Sequence, residues 1–234
     1  MKTVTFGVFA HPDDEAFGPS ATLYKLAKSG SDVHLILVTD GDSGYNAGYD
    51  DLAATRLAEW EQSCKLIGVN SKIALHYPDG GLSNNLYHEI CKKAEEFIYQ
   101  VLDKYEEPVE LDFITFDFSG ITGHLDHIAV SYMTTHIYLK LKDNTPKNFK
   151  VGKLKYFCIP ESMQPKSDNS WVFMPCGCNE DKIDEVVDYS DIVEIKMNIM
   201  RSHESQKADL DRMLKVYYTG DNPSCYKDHF AYHK

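Results

Sequence analysis

Apolar residues fall into two rhythms along this chain. In the first they run almost unbroken, as in TVTFGVFA (3–10) and DVHLILVT (32–39). Strands read this way when both faces of their sheet are covered. SKIALHY (71–77), LDFITFD (111–117) and KLKYFCI (153–159) continue the series. In the second rhythm apolar residues recur every three to four positions. SATLYKLAKSG (20–30) reads as a helix ending at Gly30, and DLAATRLAEWEQSCKLIG (51–68) as another. The second carries Leu52, Leu57, Trp60, Cys64 and Ile67 on one face and stops at Gly68. Two more helices are expected over about 86–104 and 127–141.

Strand and helix alternate, so the expected fold is α/β. It is a Rossmann-like, mostly parallel sheet with helices on both faces, wound by right-handed crossovers. The C-terminal third is less regular. Residues 160–182 are loop-rich and read as a lid or capping insertion, DIVEI (191–195) as a short strand, and a long terminal helix is expected from Lys196. No repeat, low-complexity tract or linker interrupts the chain, and residues 1–234 are read as one domain.

Composition narrows the function classes. A chain of 234 residues buries enough surface to need no disulfide staples. Its 36 acidic against 24 basic side chains give a net charge of −12, which repels phosphate backbones and argues against nucleic acid as a partner. No apolar stretch approaches the ~20 residues of a membrane span, and aspartates follow the opening MKTVTFGVFA before any secretory cleavage site. The protein therefore reads as cytoplasmic, with no membrane partner and its six cysteines reduced. The CGC at 176–178 could donate to a metal, although its spacing is tighter than the usual C-x2-C knuckle.

Ligands of open parallel sheets bind beyond the carboxyl ends of the strands. Four polar clusters fall there: His11 to Glu15, TDGDSG (39–44), PDGG (78–81) and DFSGITGHLDH (117–127). His11 and Asp14 are three apart, and His124 and His127 repeat that spacing. Two imidazoles and a carboxylate around Zn²⁺ leave a coordination position open for water, which then loses a proton near neutral pH. A spare carboxylate, Asp13, could take that proton as general base.

AHPDDE (10–15) and GHLDH (123–127) resemble the two signatures of the LmbE/PIG-L N-acetylglucosaminyl deacetylases. TDGDSG, RLAEWEQSCKLIGV (56–69), YPDGGL (77–82) and KMNIMRSHESQ (196–206) are similar to further motifs of that family, in family order. The resemblance implies a Zn²⁺ (Fe²⁺ being the alternative) held by His11, Asp14 and His127, with Asp13 as the base. It implies that His124 stabilises the oxyanion and protonates the leaving amine, that Asp126 orients the His124 ring, and that Arg56 and Asp79 touch sugar hydroxyls. The implied substrate is a small N-acetylated amino sugar or its conjugate, and a homo-oligomer is compatible with it. His203 and Gln206 match the terminal motif, where support of the site is the expectation. Leu125 stands where the family commonly has proline, and Met200 where a small residue is frequent.

Other readings use the same residues. Asp13 and Asp14 could cap a helix, Arg56 could pair with Glu59 or Asp51, and Asp79 could be turn chemistry. His203 could be a packed core histidine. His34, His76, His88, His136, His229 and His233 form no partner pattern and read as structural or solvated. The tyrosine-rich tail (Tyr217, Tyr218, Tyr226, Tyr232) is expected to cover a sheet edge or an oligomer interface. A two-His-one-carboxylate Fe(II) oxygenase would use the same ligand types but needs no base such as Asp13. A non-catalytic sugar-binding module would need neither that base nor the His124–Asp126 pair.

Overall fold

In a computed structural model of the chain, residues 1–44, 46–144, 149–164, 173–217 and 225–234 are described. The first strand, β1 (Lys2–Phe9), is followed by a single helical turn, α1 (Asp14–Phe17), and by α2 (Ser20–Lys28). Then come β2 (Asp32–Thr39), α3 (Leu52–Ile67), β3 (Ser71–Tyr77), α4 (Asn84–Leu102) and β4 (Val109–Phe116). A distorted turn, α5 (Gly120–Gly123), leads into α6 (Leu125–Asp143) and β5 (Phe149–Cys158). The last elements are β6 (Glu185–Asp188), α7 (Val193–Arg201), α8 (Lys207–Tyr217) and β7 (Lys227–Tyr232).

The seven strands form one sheet in the order β3-β2-β1-β4-β5-β7-β6. The first five run parallel; β7 is antiparallel to both β5 and β6. From Val4 onward β1 is buried, which is why its sequence shows no alternation of polar residues. Local signals set the helix ends. Asp51 caps α3 by accepting from Ala54 N at 2.9 Å, and Gly68 closes it in the left-handed region at φ 91°. The chain crosses from β1 to β2 on one side and returns to β4 on the other. The crevice between β1 and β4 is therefore the switch point of the sheet, where side chains from two separated loops can meet.

The final third departs from the sequence expectation. DIVEI is not a strand: Ser190–Ile192 form a 3-10 turn and Val193 begins α7. The apolar residues Val193, Met197 and Met200 line up at helical spacing and override the strand preference of Val and Ile. The terminal helix is broken at Ser202–His203 by a second 3-10 turn, Glu204–Gln206, before α8 resumes. Strands β6 and β7 have no counterpart in the sequence reading. In β7 the buried residues include Asp228 and His229, so its sequence carries no apolar run. Of the tyrosine-rich tail, Tyr232 lies in β7, inside the sheet rather than over its edge, and Tyr218 lies outside the described residues. Of the 160–182 segment, 165–172 lie outside them too; the rest holds two 3-10 turns and a bridge between Pro160 and Cys178. Among the described residues no helix is long and apolar enough to cross a membrane.

Candidate metal centre and active site

The end of β1 delivers His11 and Asp14 together because the chain folds back on itself there. Asp14 Oδ2 accepts from the backbone amides of Ala10 at 3.1 Å and His11 at 2.6 Å, which fixes the carboxylate beneath the His11 ring. Asp13 between them sits at φ 130°, a region an L-residue rarely occupies, and strain of this kind persists at functional sites.

His127 arrives from the first turn of α6, with its ring stacked on Phe116 at 4.2 Å. Its Nδ1 lies 3.0 Å from the carbonyl of Gly120, which can only accept, so that nitrogen carries the proton and Nε2 presents a lone pair. This lone pair faces His11 Nδ1 at 3.1 Å and Asp14 Oδ1 at 3.1 Å; His11 Nδ1 stands 3.5 Å from Asp14 Oδ2. Ligands about 2.0–2.1 Å from a tetrahedral zinc stand about 3.3 Å from one another, and the two rings meet Asp14 at close to that spacing, His127 through Oδ1 and His11 through Oδ2.

The charge pattern fits as well. His11 Nε2 lies 3.0 Å from Asp79 Oδ1 and 3.5 Å from Asp126 Oδ2. The ring is thus surrounded by acceptors. Burial alone would lower its pKa, yet the charge of Asp14 and the contacts with Asp126, Asp14 and Asp79 raise it well above the ordinary value. A proton on the ring or a metal cation satisfies this nest.

Asp13 is the carboxylate beside the nest. Burial pushes its pKa up to about 6, against the opposing charge of Arg56. Arg56 donates through Nη2 to Asp13 Oδ2 at 3.0 Å and to Pro12 O at 2.9 Å, and through Nη1 to Gly41 O at 2.7 Å. Neither Glu59 nor Asp51 takes it. Gly41, at φ 67°, leaves room for this guanidinium: a Cβ there would stand 2.7 Å from it. Asp79 accepts from Ser43 N at 3.2 Å, and its pKa is lowered, burial being outweighed by the His11 contact.

His124 caps α6. Its Nδ1 accepts from the backbone amide of Asp126 at 3.2 Å, so the neutral ring carries its proton on Nε2. Burial, then the neighbouring His127 and His11, lower its pKa. The Asp126 carboxylate turns the other way and accepts from Gly80 N at 2.7 Å. Asp126 thus meets the His124 ring through its amide, and its side chain ties the β3 turn to the nest.

Sequence reasoning gave Glu15 no role and left His203 between site support and core packing. Glu15, wholly buried, accepts from Ser63 Oγ and from His203 Nε2 at 3.1 Å, and reaches Asp13 N at 3.3 Å. The signal available was the E closing AHPDDE together with the H of the terminal motif. Gln206 donates to Ser205 Oγ at 3.1 Å, and Ser205 is in turn held by Glu59. Also missed was Lys196, 2 % exposed, which donates to Gly18 O and to Asp228 Oδ1 at 3.2 Å. Asp228 accepts as well from Thr22 N and Oγ1 at 3.0 and 2.7 Å. Lys196→Met leaves this carboxylate buried without its cation and is expected to cost about 3–5 kcal/mol in urea denaturation. Lys196→Met combined with Asp228→Asn, which removes the unpaired charge and keeps an acceptor for Thr22, should recover part of that loss.

All eight residues singled out by the sequence lie in this one region. His11, Asp13, Asp14, Arg56, Asp79, His124 and His127 line a single cavity of about 720 Å³, and Asp126 is buried just behind its wall. An imidazole–carboxylate nest at the switch point of a parallel sheet is an arrangement that could hold a metal ion in an α/β enzyme. A model of the family described as PIG-L, GlcNAc-PI de-N-acetylase, matches residues 7–138, more than half of the chain, and the protein belongs to that family. One relative is a 1D-myo-inositol 2-acetamido-2-deoxy-alpha-D-glucopyranoside deacetylase from Mycobacterium sp. (strain JLS). It is 27% identical over 230 residues, covering 85% of this chain and 72% of its own.

Solved structures share the fold. The N,N'-diacetylchitobiose deacetylase from Pyrococcus horikoshii superposes with a TM-score of 0.68 at 19% identity, covering 99% of this chain and 84% of that one. A 4-carboxy-2-hydroxymuconate hydratase from Pseudomonas putida reaches 0.62 at 12% identity, covering 100% and 97%. The same fold thus occurs with a different chemistry, and the reaction has to be argued from the site.

Proposed function

We propose that this chain is a zinc-dependent hydrolase that removes acetate from an N-acetylated amino sugar, a derivative or conjugate of N-acetylglucosamine. The observation that carries the reading is the nest itself: three donors 3.1–3.5 Å apart, with a buried carboxylate of raised pKa beside them. His11, Asp14 and His127 would hold the ion. When bound, zinc supplies Lewis-acid polarisation of a carbonyl and acidifies water toward neutral pH. Asp13 accepts a proton from the attacking water at its carboxylate, which Arg56 keeps in place. His124, held neutral, donates its Nε2–H to the oxygen on which negative charge develops. Burial pushes the Asp13 pKa up while that of the His124 ring is lowered, so Asp13, having taken the water proton, is the group fitted to return it to the leaving nitrogen. Asp79 and the Ser43–Gly44 turn face the same cavity and suit sugar hydroxyls.

The test is acetate release from a panel of N-acetylglucosamine derivatives by metal-stripped and zinc-reloaded protein. Release that depends on the metal supports the proposal; silence with one equivalent of metal bound across mono- and disaccharide members counts against it.

Two further results are expected. His124→Gln keeps a hydrogen-bond donor but not its placement, and should lower kcat by about 10²–10³-fold with a small change in KM. Activity falls on acidification as Asp13 takes up a proton. Since a bound cation favours the carboxylate form, the acid limb of the kcat/KM profile should lie at or below pH 6. A limb well above 6 in the His124→Gln protein would assign the essential base elsewhere.

A further inference from the structure

The cavity is lopsided. On the β2–β3 side of the nest its walls are Ser43, Gly44, Asp79, Gly80 and Arg56, all polar side chains or open backbone. Away from that flank the cavity carries most of its apolar groups, Phe17, Ile121, Phe157, Met163, Met174 and Met213, with charged residues such as Asp209, Arg212 and Lys227 beside them. The sheet order fixes this division, because β2 and β3 lie on one flank of β1 and β4, and β5 lies on the other. An amide held at the nest has two substituents. A sugar carries hydroxyls that need partners, which the polar flank offers; its acyl group then falls on the apolar flank.

An acetyl methyl would cover little of that wall. An N-acetylhexosamine has about 15 heavy atoms, whereas cavities of this size, about 720 Å³, commonly enclose drug-sized ligands. The apolar surface begins at the ligands themselves. Phe17 is one helical turn from Asp14, and Ile121, held at φ 63°, belongs to the turn whose Gly120 carbonyl accepts from His127. A β-branched residue at positive φ is strained, and such strain is kept where position matters. Farther out, three methionines come from three separate segments, and their unbranched side chains adapt to chains of differing length.

We infer that this wall is an acyl-chain subsite and that the protein hydrolyses N-acyl amino sugars whose acyl group is longer than acetyl. The inference rests on the deacetylase reading of the nest. The reaction balances without any co-reactant beyond water. The water oxygen bonds to the acyl carbon, the C–N bond breaks, a water proton reaches nitrogen by way of Asp13, and the products are a carboxylic acid and the free amino sugar.

The experiment compares N-acetyl-, N-butyryl-, N-hexanoyl- and N-octanoylglucosamine with the zinc-loaded protein, following release of the amine. Burial of each methylene is expected to raise kcat/KM about two- to fourfold as far as hexanoyl, chiefly through KM. Met213→Asp should lower the hexanoyl-to-acetyl ratio of kcat/KM by about tenfold or more. A flat or falling series with N-acetylglucosamine turned over overturns the inference and leaves the deacetylase reading intact. A rise with alkyl length in O-alkyl N-acetylglucosaminides, and none with N-acyl length, overturns it by giving the wall to the aglycone. Calorimetry on the metal-free protein is independent of turnover. N-octanoylglucosamine should bind at least about fifteenfold more tightly than N-acetylglucosamine, and equal affinities would sink the subsite even if every compound were inert in the assay.

Discussion

Asp13→Asn is expected to lower kcat by about a thousandfold, within the 10²–10⁴-fold that a positioned general base contributes, while the protein still binds one equivalent of zinc. Asparagine has the shape of aspartate, tolerates unusual backbone angles, and keeps an oxygen to accept from Arg56 Nη2, now at 3.0 Å from Asp13 Oδ2. Asp13 makes none of the contacts among His11, Asp14 and His127, so the metal nest is left whole. What is lost is the capacity to take a proton. Acetate release under saturating substrate, with zinc content measured on the same sample, checks this. Activity within tenfold of the parent protein, at full zinc, would remove Asp13 from the role of base.

The second large effect is removal of the metal. A chelator should reduce acetate release to background, and zinc should restore it. The stability of the fold should follow. At zinc a thousandfold above its Kd the folded state gains about 4 kcal/mol, which for a chain of this length raises Tm by roughly 8–16 °C. The gain depends on pH. Acidic surroundings raise the His11 pKa, so the metal-free nest holds a proton that the metal must displace, and affinity falls as pH drops through that raised value. Calorimetry in buffers of different ionisation enthalpy should report a proton released per zinc. Asp14→Ala, which removes a donor and leaves the amides of Ala10 and His11 without their acceptor, should abolish both the Tm shift and the proton release. A Tm indifferent to zinc in the parent protein would place the metal outside this nest.

Much of this was legible in the sequence because it is local. A buried parallel strand announces itself as an apolar run, and TVTFGVFA and DVHLILVT fix β1 and β2 to within a residue. Asp51 and Gly68 mark the ends of α3 through bonds that span three or four residues. His11, Asp13 and Asp14 had to share one turn because they are neighbours in the chain. Their partners His124 and His127 fall at another strand end, and the alternation of strands and helices predicts that both ends lie on one edge of the sheet.

The remainder was decided by contacts between residues far apart in the chain. Arg56 was open between sugar contact and a helix-surface pair until the fold brought the Asp13 carboxylate to its guanidinium, 43 positions away. Asp126 was expected to orient the His124 ring; it meets that ring through its backbone amide, while its carboxylate takes the Gly80 amide, 46 positions distant. β7 escaped detection because its buried Asp228 and His229 look solvated in sequence; Lys196 and Thr22, from two other elements, supply the partners that let Asp228 be buried. A sequence records which side chains can carry charge or coordinate a metal, whereas burial and opposing charge, set by the whole fold, determine which of them hold a proton, and so which act.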